Sequence, residues 1–256
     1  MSDLASLLTF EPIGFIETPF KEKFGTPRQP SLVPSSWGVL KLRPGLNLFG
    51  SLEGLEGFSH AWLIFIFHEN SNKAVRAKVH PPRMEGEKIG LFATRTPHRP
   101  NPIGLSAVKI EKVENDTVYF SGVDLVNGTP ILDLKPYLPS ADSIPDATSG
   151  WTQSRTERGL DVNFSSRATD DLKALVGDRA PRFMSAIREL LELDPRPVFY
   201  RGTTENPNPY TDLYGFRFDD LNVVYRMQET SPKPTADVLE IQAWMDFEAA
   251  TKRNEP

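Results

Sequence analysis

A chain of 256 residues of which 39% are hydrophobic is long enough to bury a real core, as one large domain or as a main domain with a smaller companion. It contains no cysteine, which excludes disulfide frameworks, thiolate metal sites and cysteine nucleophiles and fits a reducing compartment. A net charge of -5 argues against an indiscriminate nucleic-acid coat, which would be strongly basic.

From the N-terminus, Met1 to Glu11 carries two acids, no base and no long apolar stretch, so neither a secretory signal nor a transit peptide is expected. Phe10 to Thr18, Trp37 to Leu42, His60 to His68, Val75 to His80, Ile89 to Thr94, Leu105 to Val113, Thr117 to Leu125 and Pro130 to Leu134 are short, rich in β-branched and aromatic residues, and separated by Gly, Pro, Asn and Asp. They read as strands, and so many short strands suggest a barrel or a sandwich. The longest apolar run, Ala61 to Phe67, is far short of the roughly 20 residues that span a bilayer, so no membrane protein is expected. Val108 to Val113 and Val118 to Val123 form the clearest hairpin, joined through Glu114, Asn115 and Asp116, where Asn and Asp tolerate the left-handed turn.

After Tyr137 the composition shifts to Ser, Asp, Thr, Pro and Arg, which reads as a linker or a long excursion. The expected division is a β domain over 9–145, a linker over 146–168, a small α+β unit over 169–234 and a tail over 235–256. Thr169 to Val176 and Arg182 to Leu193 have helical spacing, with Gly177 suited to end the first helix and Pro181 to start the second. Tyr214 to Phe218 and Asn222 to Met227 alternate around Asp219 and Asp220 as a second hairpin. Thr235 to Thr251 reads as an acidic helix or a loosely attached segment.

Several enzyme classes lose their signature residues. No two glycines are separated by a single residue, so the dinucleotide fingerprint of a Rossmann fold is missing. His60, His68, His80 and His98 lack metal-ligand spacing, and no Ser sits in a Gly-x-Ser-x-Gly elbow; no metal is expected. What stands out is Gly90-Leu-Phe-Ala-Thr-Arg-Thr-Pro-His-Arg-Pro-Asn-Pro-Ile-Gly-Leu-Ser106. Pro97, Pro100 and Pro102 fix their own backbone dihedrals and push Thr96, Arg99 and Asn101 away from helix, so the loop is stiff. Stiffness removes ordering entropy before a ligand arrives, roughly 1 to 2 kcal/mol for each backbone residue fixed. Arg95 and Arg99 each offer a fork of donors to carboxylate or phosphate oxygens, and Asn101 adds a donor and an acceptor. Between Lys73 and Arg99 stand seven basic residues and two acids, a local anion site or a solvated face on an acidic chain. Pro27-Arg-Gln-Pro30 and Asp133-Leu-Lys-Pro-Tyr137 likewise present polar groups from irregular or strand-end segments. Taken alone, each of these segments also reads as a structural turn or a polar surface loop.

Phe10-Glu-Pro-Ile-Gly-Phe-Ile16, Lys21-Glu-Lys-Phe24 with Pro27 to Pro30, Phe67-His68, Ala93 to Ser106 and Asp124-Leu-Val-Asn-Gly-Thr-Pro-Ile-Leu-Asp-Leu-Lys-Pro-Tyr137 together resemble the TrmO or TsaA-like family. The C-terminal part resembles its longer members through Asp194-Pro-Arg-Pro197, Tyr214-Gly215 and Leu221-Asn-Val223, with Val224-Tyr225 where the family pattern has a basic residue and Trp. The resemblance implies a mainly β protein with a non-Rossmann β-barrel methyltransferase domain, S-adenosylmethionine as methyl donor, and a cytoplasmic homodimer. The implied substrate is tRNA bearing N6-threonylcarbamoyladenosine beside the anticodon. Carried over by position, Pro27, Arg28, Gln29, His68, Glu69, Arg95, Leu105, Asp133, Leu134, Lys135 and Pro136 would bind the cofactor, Glu69 standing where the pattern has Gln. Arg99, Asn101 and Arg196 would bind the substrate; Arg95, Asn101 and Asp133 are candidates for a catalytic role, with the general base unnamed. The C-terminal unit would position RNA or complete the fold. A module that binds an adenosyl ligand or RNA without turnover is the competing expectation.

Overall fold

The structure is a computed structural model that describes residues 9–46, 48, 50–70, 75–81, 87–153, 159–196, 212–228 and 233–253. The chain divides into two compact units, the first made of Met1–Glu17, Gly38–Phe120 and Gly128–Pro145, the second of Thr18–Trp37, Ser121–Asn127 and Asp146–Pro256.

The first unit is built on a closed barrel. Strands β1 (Gly14–Glu17), β2 (Trp37–Leu42), β3 (His60–Ile66), β6 (Ile103–Glu114), β7 (Thr117–Ser121) and β8 (Thr129–Pro136) run in the order β1-β2-β7-β6-β3-β8 and close on themselves. Alternation drives this: in β3, Ala61, Leu63 and Phe65 are buried while the residues between them are half-buried, so a single face lines the barrel. Ile16, Leu40, Val108, Val118, Phe120 and Ile131 complete that interior. The expected hairpin is present, β6 and β7 meeting at Asn115 with φ 54, a conformation that Asn accepts more readily than most residues. β4 (Lys78–Val79) and β5 (Ile89–Gly90) pair as a separate two-stranded ribbon, shorter than the sequence suggests. The first strand is also shorter than Phe10 to Thr18, because Pro12 has no N–H for a ladder. A four-residue helix, α1 (Pro139–Asp142), follows the barrel.

In the second unit a sheet of order β10-β11-β12-β9 is formed by β9 (Asp161–Phe164), β10 (Leu213–Phe218), β11 (Leu221–Gln228) and β12 (Thr235–Ala243). The neighbours are antiparallel except for β12 with β9. Helix α2 (Ser166–Val176) is capped by the Ser165 side chain, which accepts from the Ala168 N–H, and ends at Gly177 with φ 59. Helix α3 (Ala180–Glu192) has Pro181 in its first turn and buries Phe183, Ala186, Ile187, Leu190 and Leu191, the amphipathic stripe the spacing predicts. Two segments differ from the sequence reading. Asp161–Phe164 is a strand inside the stretch expected to be irregular, and Thr235–Ala243 is an inner strand followed by α4 (Trp244–Arg253), where an acidic helix or a loose segment was expected. Among the described residues no helix is long and apolar enough to cross a membrane.

Candidate functional site

The proline run occupies the passage from β5 to β6. A short 3-10 turn, Leu91–Ala93, buries Leu91, and the Thr94 hydroxyl donates to the Leu91 carbonyl at 2.7 Å. Beyond it the loop is tied at several points. The Arg99 guanidinium donates to the Thr94 carbonyl at 2.9 Å and lies 5.6 Å from the Phe92 ring centre. The Asn70 amide donates to the Pro97 carbonyl at 2.7 Å, and the Phe67 N–H to the Pro102 carbonyl at 2.8 Å. Rigidity therefore has two sources, the prolines and the end of β3. Arg95, His98 and Asn101 remain exposed at the surface of this fixed backbone, while Arg99 is half-buried and spends part of its fork inside the loop.

Gly104, where the run enters β6, faces Phe65. A methyl group there would lie 2.2 Å from two ring carbons of Phe65, so the strand pair closes only with glycine at this position.

Leu105, Ile64 and Asp133 form one row across β6, β3 and β8. The row points away from the interior, since Leu63 and Phe65 on either side of Ile64 are buried and Leu105 is 55% exposed. A bulge between Ile64 and Phe65 leaves Leu132 as the extra residue immediately before Asp133, a device that re-aims side chains at barrel rims. One oxygen of Asp133 accepts the Leu134 N–H at 2.9 Å and the other pairs with Lys135 at 2.7 Å. That ion pair is surface-exposed, so it holds the carboxylate only weakly. Lys135 and Pro136 stand opposite Trp62 and Ala61 of β3. His68 and Glu69 lie in the turn just after β3, both exposed.

Pro27, Arg28 and Gln29 belong to the second unit. Pro27 is buried, Gln29 half-buried and Arg28 exposed. Their loop starts at Pro19, whose carbonyl accepts the Asp219 N–H at 2.6 Å, and Lys21 pairs with Asp219 at 3.3 Å. Gly25 has φ +85, and a side chain there would begin 3.3 Å from the Phe216 ring. At its far end Ser35 meets Glu189, 154 positions along the chain, with its N–H on one carboxylate oxygen at 2.8 Å and its hydroxyl on the other at 2.7 Å. Arg182 donates to the Ser35 and Ser36 carbonyls at 3.0 and 3.2 Å. The sequence carries no local signal for these contacts.

Arg196 is 2% exposed. Its guanidinium grips Asp194 with Nε at 2.8 Å and Nη2 at 3.1 Å, and it lies 5.4 Å from the Tyr214 ring centre. Asp194 adopts φ 47, a tight turn for a non-glycine residue. Tyr214 stacks on Tyr225 at 5.5 Å; the Tyr225 hydroxyl is buried without a hydrogen-bond partner among the described residues. Burial pushes this hydroxyl well above the ordinary tyrosine range, partly offset by Arg196. Pro197, the last residue of that motif, lies outside the described residues, as do Lys73, Arg83 and Glu85 of the basic stretch. Arg76, Lys78 and Lys88 of that stretch are exposed. Among the described residues no group of three or more His, Asp and Glu is placed to hold a metal ion.

Comparison with known proteins places these features in a family. The model of the tRNA-methyltransferase O N-terminal domain matches residues 15–143, and that of the TrmO C-terminal domain matches residues 157–243. The tRNA (adenine(37)-N6)-methyltransferase of Escherichia coli strain K12 is 41% identical over 229 residues, covering 88% of this chain and 95% of that protein. A protein named "Probable S-adenosyl-L-methionine-binding protein" from Pyrococcus abyssi is 36% identical over 155 residues, covering 60% of this chain and 82% of that one. The crystal structure of TrmO from Pseudomonas aeruginosa superposes with a TM-score of 0.72 at 36% identity, over 92% of this chain and 99% of that one.

Proposed function

The chain belongs to the tRNA-methyltransferase O family, and on that premise we propose that it transfers a methyl group from S-adenosylmethionine to N6 of the adenosine next to the anticodon of tRNA. The acceptor in this reading is threonylcarbamoyladenosine, and the working form is a cytoplasmic homodimer. The observation that carries the reading is the fixed backbone of the Arg95–Pro102 loop, tied to Phe67 and Asn70 just after β3 while Arg95 and Asn101 stay exposed.

The donor set on the barrel suits an adenosyl amino acid. Arg95 offers a fork to a carboxylate, Asp133 accepts from an amino group or a ribose hydroxyl, and exposed Leu105 supplies apolar surface in the same row as Asp133. His68, Glu69, Leu134, Lys135 and Pro136 belong to the same proposed set, as do Pro27, Arg28 and Gln29 of the second unit. Bound S-adenosylmethionine supplies an electrophilic methyl carbon, a chemistry that asks for in-line placement more than for a protein nucleophile. Asp133 is best used away from the sulfonium, because the charge on sulfur vanishes during transfer and a carboxylate beside it would favour the ground state. Arg99 and Asn101 face the RNA in this reading, Arg95 and Arg99 also matching the threonyl carboxylate of the modified base. The acceptor nitrogen, conjugated to a carbonyl, must lose its proton to a base as the bond forms; Arg95, Asn101 and Asp133 are the candidates for a catalytic role, and none of them is assigned as that base. Arg196, expected from the resemblance to bind the substrate, is instead buried with its guanidinium on Asp194, so its part in this reading is to hold the Asp194 turn.

Mass spectrometry of tRNA nucleosides after incubation with the protein and S-adenosylmethionine tests the reading. A 14-dalton gain confined to threonylcarbamoyladenosine is the expected result, that being the mass of about one CH₂ unit. Cofactor binding with no methylated nucleoside in a single turnover would favour a binding module instead.

A further inference from the structure

We propose that Arg182 and Glu189 of α3 are positioning residues for the cofactor, acting through the loop that carries Pro27, Arg28 and Gln29. The proposal rests on the reading above, in which that loop binds S-adenosylmethionine.

Ser35 is the point of attachment. Its N–H and hydroxyl both end on the Glu189 carboxylate, and its carbonyl accepts from Arg182 Nε. All three of its polar groups are thus satisfied by side chains of one helix. Arg182 and Glu189 are separated by seven positions, two turns of helix, and so share a face. Between them Phe183 meets Trp37 at 4.7 Å, with the Arg182 guanidinium 5.4 Å from the Trp37 ring centre. The same helix reaches the other side of the loop through Leu190, whose methyl carbon lies 3.7 Å from where a Gly25 side chain would begin, two residues before Pro27. The loop's neighbouring tethers are of a different kind: Ser31 and Ser36 bond to the Gly122 and Val123 carbonyls. The α3 contacts are charge-assisted, and such bonds are about twice as strong as neutral ones. A loop ordered in this way binds without an ordering cost, whereas a loosened one must be ordered by its ligand.

The experiment measures the full-length protein by calorimetry with S-adenosylmethionine, steady-state kinetics, and amide hydrogen exchange over residues 23–29. Glu189→Ala is expected to weaken cofactor affinity about tenfold and raise the KM for cofactor. The KM for tRNA should stay within about twofold, and exchange in the loop should accelerate, as expected when a local opening becomes easier. Glu189→Gln, which keeps the shape and one acceptor, should recover most of the loss. Ser35→Ala should add little in the Glu189→Ala background, since the two groups form one contact. Should Glu189→Ala destabilise the whole chain, Arg182→Lys, which keeps the charge but loses the fork on the Ser35 and Ser36 carbonyls, carries the same test in a folded background.

Unchanged cofactor affinity and unchanged loop exchange in Glu189→Ala and Arg182→Lys would overturn the proposal. Arg28→Ala separates this from failure of the underlying reading. If Arg28→Ala loses affinity while Glu189→Ala does not, only the clasp is wrong; if the unaltered protein binds no cofactor, the reading fails and the clasp with it.

Discussion

At Gly104 a methyl group would meet the Phe65 ring at 2.2 Å, and Phe65 is itself only 4% exposed, so neither partner has room to yield. Gly104→Ala is therefore expected to cost about 1 to 3 kcal/mol through overpacking. Urea unfolding would measure this, and a second change, Phe65→Leu, should return part of the loss. Arg95 gives the opposite profile. Its side chain is exposed, so Arg95→Ala should shift unfolding by less than about 0.5 kcal/mol. Methyl transfer should nevertheless fall by at least about tenfold, the equivalent of one lost charge-assisted contact. A variant that loses stability but keeps activity would remove Arg95 from the site. Tyr225 makes a third prediction. Its hydroxyl is buried and lacks a partner among the described residues, so Tyr225→Phe should raise stability by about 1 kcal/mol. The pH sign follows from the raised folded-state value. Below about pH 10 both folded and unfolded chains hold the proton. Above it the unfolded chain releases the proton while the folded chain retains it, so stability falls as pH rises. Denaturant midpoints between pH 8 and about pH 11 should show a shallower alkaline fall in Tyr225→Phe than in the unaltered protein.

At the level of elements, legibility followed the range of the forces involved. The β6–β7 hairpin rests on Asn115 and Asp116, α2 on Ser165 and Gly177, and α3 on Pro181 with its apolar stripe; each is a local matter of turn or cap chemistry. The Ser165 cap makes this quantitative, since Ser165→Ala should cost about 1 kcal/mol in thermal or chemical unfolding. β12 was not legible, and the reason is a bulge. Val224 pairs with Glu240 but Tyr225 with Val238, which leaves Leu239 extra and moves the next buried residue from a spacing of two to one of three, from Val238 to Ile241. That broken alternation imitates a helical period. β9 is four residues long and gains its identity from parallel pairing with β12, whose residues lie more than 70 positions later. No local signal marks such a strand. The stiffness of the proline run was legible from Pro97, Pro100 and Pro102. Its anchoring by Asn70 and Phe67, and the engagement of Arg99 with Thr94 and Phe92, were not.

For the molecule as a whole, the second unit has three segments, and two of them, Thr18–Trp37 and Ser121–Asn127, come from within the sequence that also builds the barrel. Phe20 packs on Phe218 at 5.9 Å, and Trp37 on Phe183 at 4.7 Å and Phe218 at 5.6 Å. A chain ending at Ser165 would leave Phe20 and Trp37 without these rings. Such a truncation is expected to lose cofactor binding together with tRNA binding; calorimetric cofactor affinity equal to that of the full chain would show that the Pro27–Gln29 loop orders without them. By itself the sequence determined the β-rich class, the two helices, the stiff Arg95–Pro102 turn and the family resemblance. These depend on alternation, caps and proline stereochemistry, which act over a few residues. Tertiary structure alone decided that the strands close into a barrel, that β9 and β12 share a sheet, that Leu105 and Asp133 stand in one row, and that Ser35 is gripped by Arg182 and Glu189. Each of those depends on register or on contact between residues far apart in the chain, and no short-range rule encodes either.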